Sequence, residues 1–116
     1  MKEEMFLQCW EIVSRMELWF LSNCPFEEMS RGDYMMLNLL TQSANDGKMM
    51  TVTMISDSLK VSKAAISQSI KALKKKEWVK SISDTTDKRK SYIVLTDEGR
   101  KAYEKQRKVI IRNLQE

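Results

Sequence analysis

No histidine occurs anywhere in the 116 residues. With it go the commonest general base and the commonest metal ligand, so nucleophilic catalysis by Ser-His or Cys-His pairs is excluded. Glycine appears only three times and proline once. Neither a G-x-x-x-x-G-K-S/T nor a G-x-G-x-x-G pattern is present, so a glycine-rich phosphate cradle cannot be assembled. The two cysteines, Cys9 and Cys24, lack metal-ligand spacing and read as free thiols in a reducing compartment. No run reaches the roughly 18 apolar residues of a membrane span, and no basic-apolar-small export signal opens the chain. These absences predict a cytoplasmic protein that is not an enzyme and needs no cofactor or metal.

What is present is a single-domain chain, 42% hydrophobic, long enough to bury a core without disulfide staples. Its net charge of +4 conceals a partition. Residues 1–59 carry four Lys/Arg against nine Asp/Glu, a balance of −5, whereas residues 60–116 carry 16 against seven, a balance of +9. An acidic half suited to folding or partners is thus joined to a basic half suited to a polyanion, of which nucleic acid is the usual example. The plainer alternative is a solvated lysine-rich surface.

Apolar periodicity places the helices. Met5, Cys9, Ile12, Met16 and Trp19 alternate at spacings of four and three, with Phe6, Val13 and Phe20 alongside, as expected of an amphipathic helix over residues 3–22. Leu7 and Leu18 fall on its other face, so the helix is suited to being covered on two sides. It should end before Pro25. A second helix follows "SRGD", where Ser30 and Asp33 stand in capping-box spacing ahead of Tyr34, Met35, Leu37, Leu39 and Leu40, and "NDGK" at 45–48 stops it.

Thr51 caps a short third helix with Ile55 and Leu59 toward the core, and Ser62 caps a fourth running from about Lys63 to Lys76. Only Lys60 and Val61 separate them, with Val61 expected to plug the turn. Two helices joined this tightly form a helix-turn-helix. On the fourth helix Ile66, Ile70 and Leu73 repeat at i, i+4, i+7 and must face inward. The opposite side carries Ala64, Ser67, Gln68, Lys71 and Lys75. A merely solvated face would mix Glu with Lys for i, i+4 pairing, yet no acid occurs from Ser58 to Lys76.

Two β-prone runs come next, Val79 to Ile82 and Tyr92 to Leu95, around a tip, "SDTTDKRKS", that holds three cations and two carboxylates. Reversing a chain does not need such charge. A helix-turn-helix followed by a hairpin is a winged helix, and the charged tip is its wing. A last helix should begin at Thr96 or Asp97 and pass through Tyr103 and Ile110 toward Leu114, its Lys/Arg-rich side exposed.

The stretch from Thr51 to Gly99 resembles the DNA-binding core of the MarR family of bacterial transcriptional regulators. The resemblance rests on D-x-x-D-K-R at Asp84, Asp87, Lys88 and Arg89, followed by V-L-T-x-x-G at Val94, Leu95, Thr96 and Gly99. The Val-Ser pair at 61 and 62 and the Ile-Ser pair at 66 and 67 add to it, and the similarity covers about residues 30–105. Lys60 stands where that family usually has glycine, Ser56 replaces its usual alanine, and Glu77 and Trp78 replace its usual Gly-Leu. The chain also stops sooner than is typical, which would abbreviate a dimer interface formed by the first and C-terminal helices.

The resulting expectation is a mainly α protein with a small β-hairpin (α+β), a winged helix-turn-helix flanked by N- and C-terminal dimerisation helices. Residues 1–24 would form the N-terminal dimerisation helix, 30–95 the winged core and 96–116 the C-terminal helix. The implied function is a homodimeric regulator, a repressor, bound to double-stranded DNA. Ser62, Lys63, Ala64, Ser67, Gln68, Lys71 and Lys75 would line the major groove. The wing would enter the minor groove through Arg89, with Lys88 and Lys90 on phosphates and Asp87 orienting the arginine. The resemblance further implies a small amphipathic effector, for which Trp10, Trp19, Phe20, Phe26 and Tyr34 are the candidate pocket, although aromatic residues at helical spacing are more often core. It also allows peroxide sensing by Cys9 or Cys24, against structural thiols. The alternative function is a winged-helix protein-interaction module without direct DNA binding, its first helix docked on another subunit.

Overall fold

A computed structural model describes residues 2–23, 26 and 29–115, the side chains of 19–23 and 113–115 excepted. Among the described residues the elements run α1 (Glu3–Asn23), α2 (Arg31–Asn45), α3 (Val52–Leu59), α4 (Lys63–Lys75), β1 (Val79–Ser83), β2 (Ser91–Leu95) and α5 (Asp97–Gln115). This is the winged helix-turn-helix expected from the sequence. The strands pair antiparallel with Val79 opposite Leu95 and Ser83 opposite Ser91. A piece of sheet not foreseen is added by Met50, whose carbonyl accepts from the Ile93 N–H at 2.8 Å on the outer side of β2.

Three helices start where short polar side chains satisfy otherwise orphaned N–H groups. Ser30 Oγ accepts from the Asp33 N–H at 3.0 Å while Asp33 Oδ2 accepts from the Ser30 N–H at 3.4 Å, completing the capping box. Thr51 Oγ1 accepts from the Met54 N–H, and Ser62 Oγ from the Ala65 N–H, both at 3.2 Å. Each such cap contributes about 1 kcal/mol.

The core lies where α2, α4, the hairpin and α5 meet. Met36, Leu37 and Leu40 come from α2, Ile55 from α3, Ile66, Ile70 and Leu73 from α4, Val79 and Ile93 from the strands, and Tyr103 from α5. Burying each of these large side chains stabilises the fold by about 1.5–3 kcal/mol. No described side chain of α1 is buried. Its stripe of Met5, Phe6, Ile12, Val13 and Met16 faces solvent, as do Leu7, Trp10 and Leu18. An ion pair of 3.1 Å between Glu17 and Arg31 links it to α2.

The turn between α3 and α4 differs from expectation. Val61 does not plug it, being 42% exposed. Instead Lys60 adopts a left-handed conformation (φ 58°, ψ 41°), and the turn is held by backbone groups. The Val61 N–H donates to the Ser56 carbonyl at 3.2 Å, and the buried Ser56 hydroxyl donates to the Val61 carbonyl. Ser56 therefore supplies a hydrogen bond that alanine lacks.

The end of α4 is a Schellman motif. The Trp78 N–H donates to the Leu73 carbonyl and the Glu77 N–H to that of Lys74, with Glu77 left-handed at φ 63°. Lys76 leans on the ring of Trp78, its Nζ 4.7 Å from the centroid. Thr96 then ties this corner to α5: its N–H donates to the Trp78 carbonyl at 3.0 Å, and its hydroxyl donates to that of Glu77 while accepting from the Gly99 N–H. Gly99 is buried so closely against the corner that a Cβ would lie 2.0 Å from the Trp78 oxygen.

Gly99→Ala forces backbone apart rather than a flexible side chain, and should cost about 3 kcal/mol of stability. Chemical denaturation reads this directly, and a loss below about 0.5 kcal/mol would mean that the corner yields freely. Lys60→Gly and Glu77→Gly should each stabilise by about 0.5–1 kcal/mol. Relief of a left-handed side-chain penalty of about 1–2 kcal/mol exceeds the added unfolded-chain entropy. Lower midpoints for both would show that those side chains contribute more than the strain removes.

Candidate nucleic-acid interface

The inward turn of Ile66, Ile70 and Leu73 leaves the other side of α4 in solvent. Ser62, Lys63, Ala64, Ser67, Gln68, Lys71 and Lys75 are all exposed, so the helix displays the seven residues expected of it. Small side chains at its N-terminal end leave room for close approach to a ligand, and the cations follow toward the C-terminal end, where they also suit the helix dipole.

The wing tip is ordered by its two aspartates. Asp84 Oδ1 accepts from the Thr86 N–H at 3.3 Å, and its Oδ2 accepts from the Tyr92 hydroxyl at 3.3 Å. Asp87 Oδ1 accepts from the Arg89 N–H at 3.0 Å and from Arg89 Nε at 3.4 Å. Two successive Asx turns result. They are closed by the Asp84 N–H on the Lys90 carbonyl and the Lys90 N–H on the Asp87 carbonyl, both 3.0 Å. Asp87 thus meets the arginine through one oxygen at Nε rather than in a bidentate fork. The Arg89 side chain remains 93% exposed, between exposed Lys88 and Lys90.

Between α4 and the hairpin lies a cleft of about 380 Å³, with Ser67, Lys71 and Lys74 on the helix wall, Ser81 and Ser91 on the strands, and Ile70 and Ile93 below. The sequence did not single out Lys74, Ser81 or Ser91. Their adjacency depends on the hairpin folding back over α4, for which a one-dimensional pattern has no signal.

The candidate pocket aromatics are only partly assembled. Phe26 and Tyr34 lie 6.2 Å apart between ring centroids, and Tyr34 stacks on Tyr103 at 5.2 Å and 17°. The Tyr103 hydroxyl donates to Asn38 Oδ1 at 2.6 Å. Trp10 stands apart from this stack, 62% exposed on α1. Trp19, Phe20 and Cys24 lie outside the side chains described, while Cys9 is an exposed free thiol. Among the described residues no cluster of three or more His, Cys, Asp or Glu could hold a metal, and no helix is long and apolar enough to cross a membrane.

The model of the MarR family matches residues 28–90, more than half of the chain and reaching from α2 through the wing tip. The chain belongs to the MarR family. Members of this family are winged-helix transcriptional regulators that bind DNA, not enzymes.

Solved MarR-family structures share the architecture. A mutant of MepR from S. aureus superposes with a TM-score of 0.77 at 18% identity, over 99% of this chain and 81% of that one. BldR from Sulfolobus solfataricus gives 0.72 at 19%, over 98% and 82%. A mutant of MarR from E. coli complexed with operator DNA gives 0.65 at 20%, over 72% and 56%. Identities this low speak for the fold. No curated protein sequence matches this one significantly.

Burial pushes the Tyr34 phenol up to about 12 from its ordinary 10.0, with hydrogen bonding and Coulomb interaction from Tyr103 adding to it. A raised pKa favours the neutral phenol in the fold, so its contribution to stability is full below pH 10 and disappears as pH rises toward 12. The free energy of unfolding should therefore fall between pH 10 and 12, and fall less in Tyr34→Phe. Identical alkaline profiles for the two proteins would refute the assignment.

Proposed function

We propose that this protein is a homodimeric repressor of transcription that binds duplex DNA with α4 in the major groove and the wing in the adjacent minor groove. The observation that carries this reading is the acid-free, exposed side of α4 beside a wing whose three cations are held outward by two aspartate-centred turns. Ser62, Lys63, Ala64, Ser67 and Gln68 would meet base edges, and Lys71 and Lys75 phosphates. Arg89 would enter the minor groove, where narrow A·T tracts concentrate negative potential.

Residues 30–95 then constitute the reading head, with 1–24 and 96–116 joining it to a second copy. An apolar helix left in solvent supports that arrangement, since such a surface is normally covered. Two related heads would read half-sites about 34 Å apart, one helical turn of DNA. A small amphipathic effector would be received beside Phe26 and Tyr34; PcaV from Streptomyces coelicolor, of the same fold at 20% identity, was solved with its natural ligand. The protein would act in the cytoplasm, with Cys9 as a structural thiol. A second reading is favoured by the same exposed α1: docking on a different subunit, with the basic face incidental.

Selection from random duplexes followed by titration tests both. Gln68→Ala should cost about 1–3 kcal/mol and relax preference at one base pair. Arg89→Ala should cost most on sites flanked by A·T pairs, with only partial rescue by Arg89→Lys, which lacks the planar fork. Unchanged binding by both alanine variants, or a monomeric mass at micromolar concentration, would sink the corresponding part of the proposal.

A further inference from the structure

The cleft between α4 and the hairpin has a composition that neither the core nor a generic surface requires. Its floor, Ile70 and Ile93, is buried, and apart from Val52 its walls carry two lysines and three serines and no carboxylate. Strand alternation explains how this arises. Val79 and Ser81 of β1 share a face with Ser91, Ile93 and Leu95 of β2. That face is apolar at the base of the wing and becomes hydroxyl-bearing toward the tip. Serine is not a favoured strand residue, and an exposed strand is more stable with Thr or Val. At Ser81 and Ser91 small hydroxyl groups stand where bulkier side chains would fill the cleft.

The groove assignment adds a geometric constraint. In duplex DNA the major and minor grooves are separated by one sugar-phosphate strand. A protein with α4 in one groove and the wing in the next must straddle that strand, and the part of the protein facing it is the cleft between the two. We infer that this cleft is a phosphate seat. Lys74 and Lys71 neutralise a backbone phosphate of the strand between the grooves, while the Ser67, Ser81 and Ser91 hydroxyls donate to its oxygens. The inference rests on the groove assignment above and extends it to Lys74, Ser81 and Ser91. Such contacts fix the register of α4 against the wing without reading sequence.

The test uses the full-length protein and a selected duplex, with affinity measured across a range of salt. Lys74→Gln, an exposed and fold-neutral change, should weaken binding about tenfold on every sequence and flatten the log K against log salt slope by about 0.9, the value for one lost phosphate contact. Ser91→Glu, which puts a carboxylate into the seat, should weaken it at least a hundredfold. Lys101→Gln, on α5 and outside the cleft, should leave affinity and slope unchanged. A single uncharged methylphosphonate stepped along the duplex should weaken the parent at one position between the grooves, and there cause no further loss in Lys74→Gln.

Failure of the parent to bind any duplex would overturn the DNA reading itself. A parent that binds, with Lys74→Gln and Ser91→Glu matching it in affinity and slope, would overturn the phosphate seat alone. Losses that stay additive with the methylphosphonate at every position would likewise place Lys74 elsewhere.

Discussion

The arrangement of the winged helix depends on one corner, where the carbonyls of Glu77 and Trp78 both accept hydrogen bonds from Thr96. Those carbonyls belong to the segment that ends α4 and starts β1, and Thr96 is the cap of α5. Three elements are therefore referenced to the same few atoms. The angle at which the wing leaves α4 is set by the left-handed Glu77 and the Schellman bonds, and α5 is set against it by the approach of Gly99 to Trp78. Loosening the corner would let the wing rotate against α4 even with every core contact intact. The V-L-T-x-x-G stretch thus has a mechanical meaning: strand end, double hydrogen-bond partner, and the residue whose missing side chain permits contact.

Much of this was legible in the sequence because its cause is local. Caps at Ser30, Thr51 and Ser62 depend on a side chain and a backbone group three residues away, and the inward face of α4 follows from the 3.6-residue period. The two β-prone runs around a charged tip located the wing but not the reason for its aspartates. Asp84 and Asp87 owe their places to turn geometry, which emerged only with the N–H groups they accept from. What escaped was non-local. The Met50 bridge to Ile93 joins residues far apart in the chain, and the exposure of Val61 follows from the left-handed turn at Lys60. The cleft serines became significant only when the hairpin was laid over α4.

The charge partition of the chain follows the same division of labour. Two acids of the first half make contacts within the fold: Asp33 in a cap and 3.8 Å from Lys76, and Glu17 against Arg31. Exposed pairs of this kind contribute little energy, typically below about 1 kcal/mol, and chiefly orient the helices. From Ser58 to Lys76 acids are missing altogether, so the cations of α4 keep no carboxylate partner on their own helix. Among the described residues Lys63, Lys71, Lys74 and Lys75 form no ion pair that an incoming anion would first have to break.

Full burial in the hairpin is confined to Val79 at its base and Ile93 midway along β2, which makes the wing a cantilever clamped at one end. Its outer half carries no part of the core. Between Asp84 and Lys90 the structural load falls on the turn itself, where the two aspartates hold the Thr86 and Arg89 N–H groups, and not on the core. Changes at the exposed Lys88, Arg89 and Lys90 would therefore alter what the tip presents while the clamp, and the protein's capacity to fold, remain as they were.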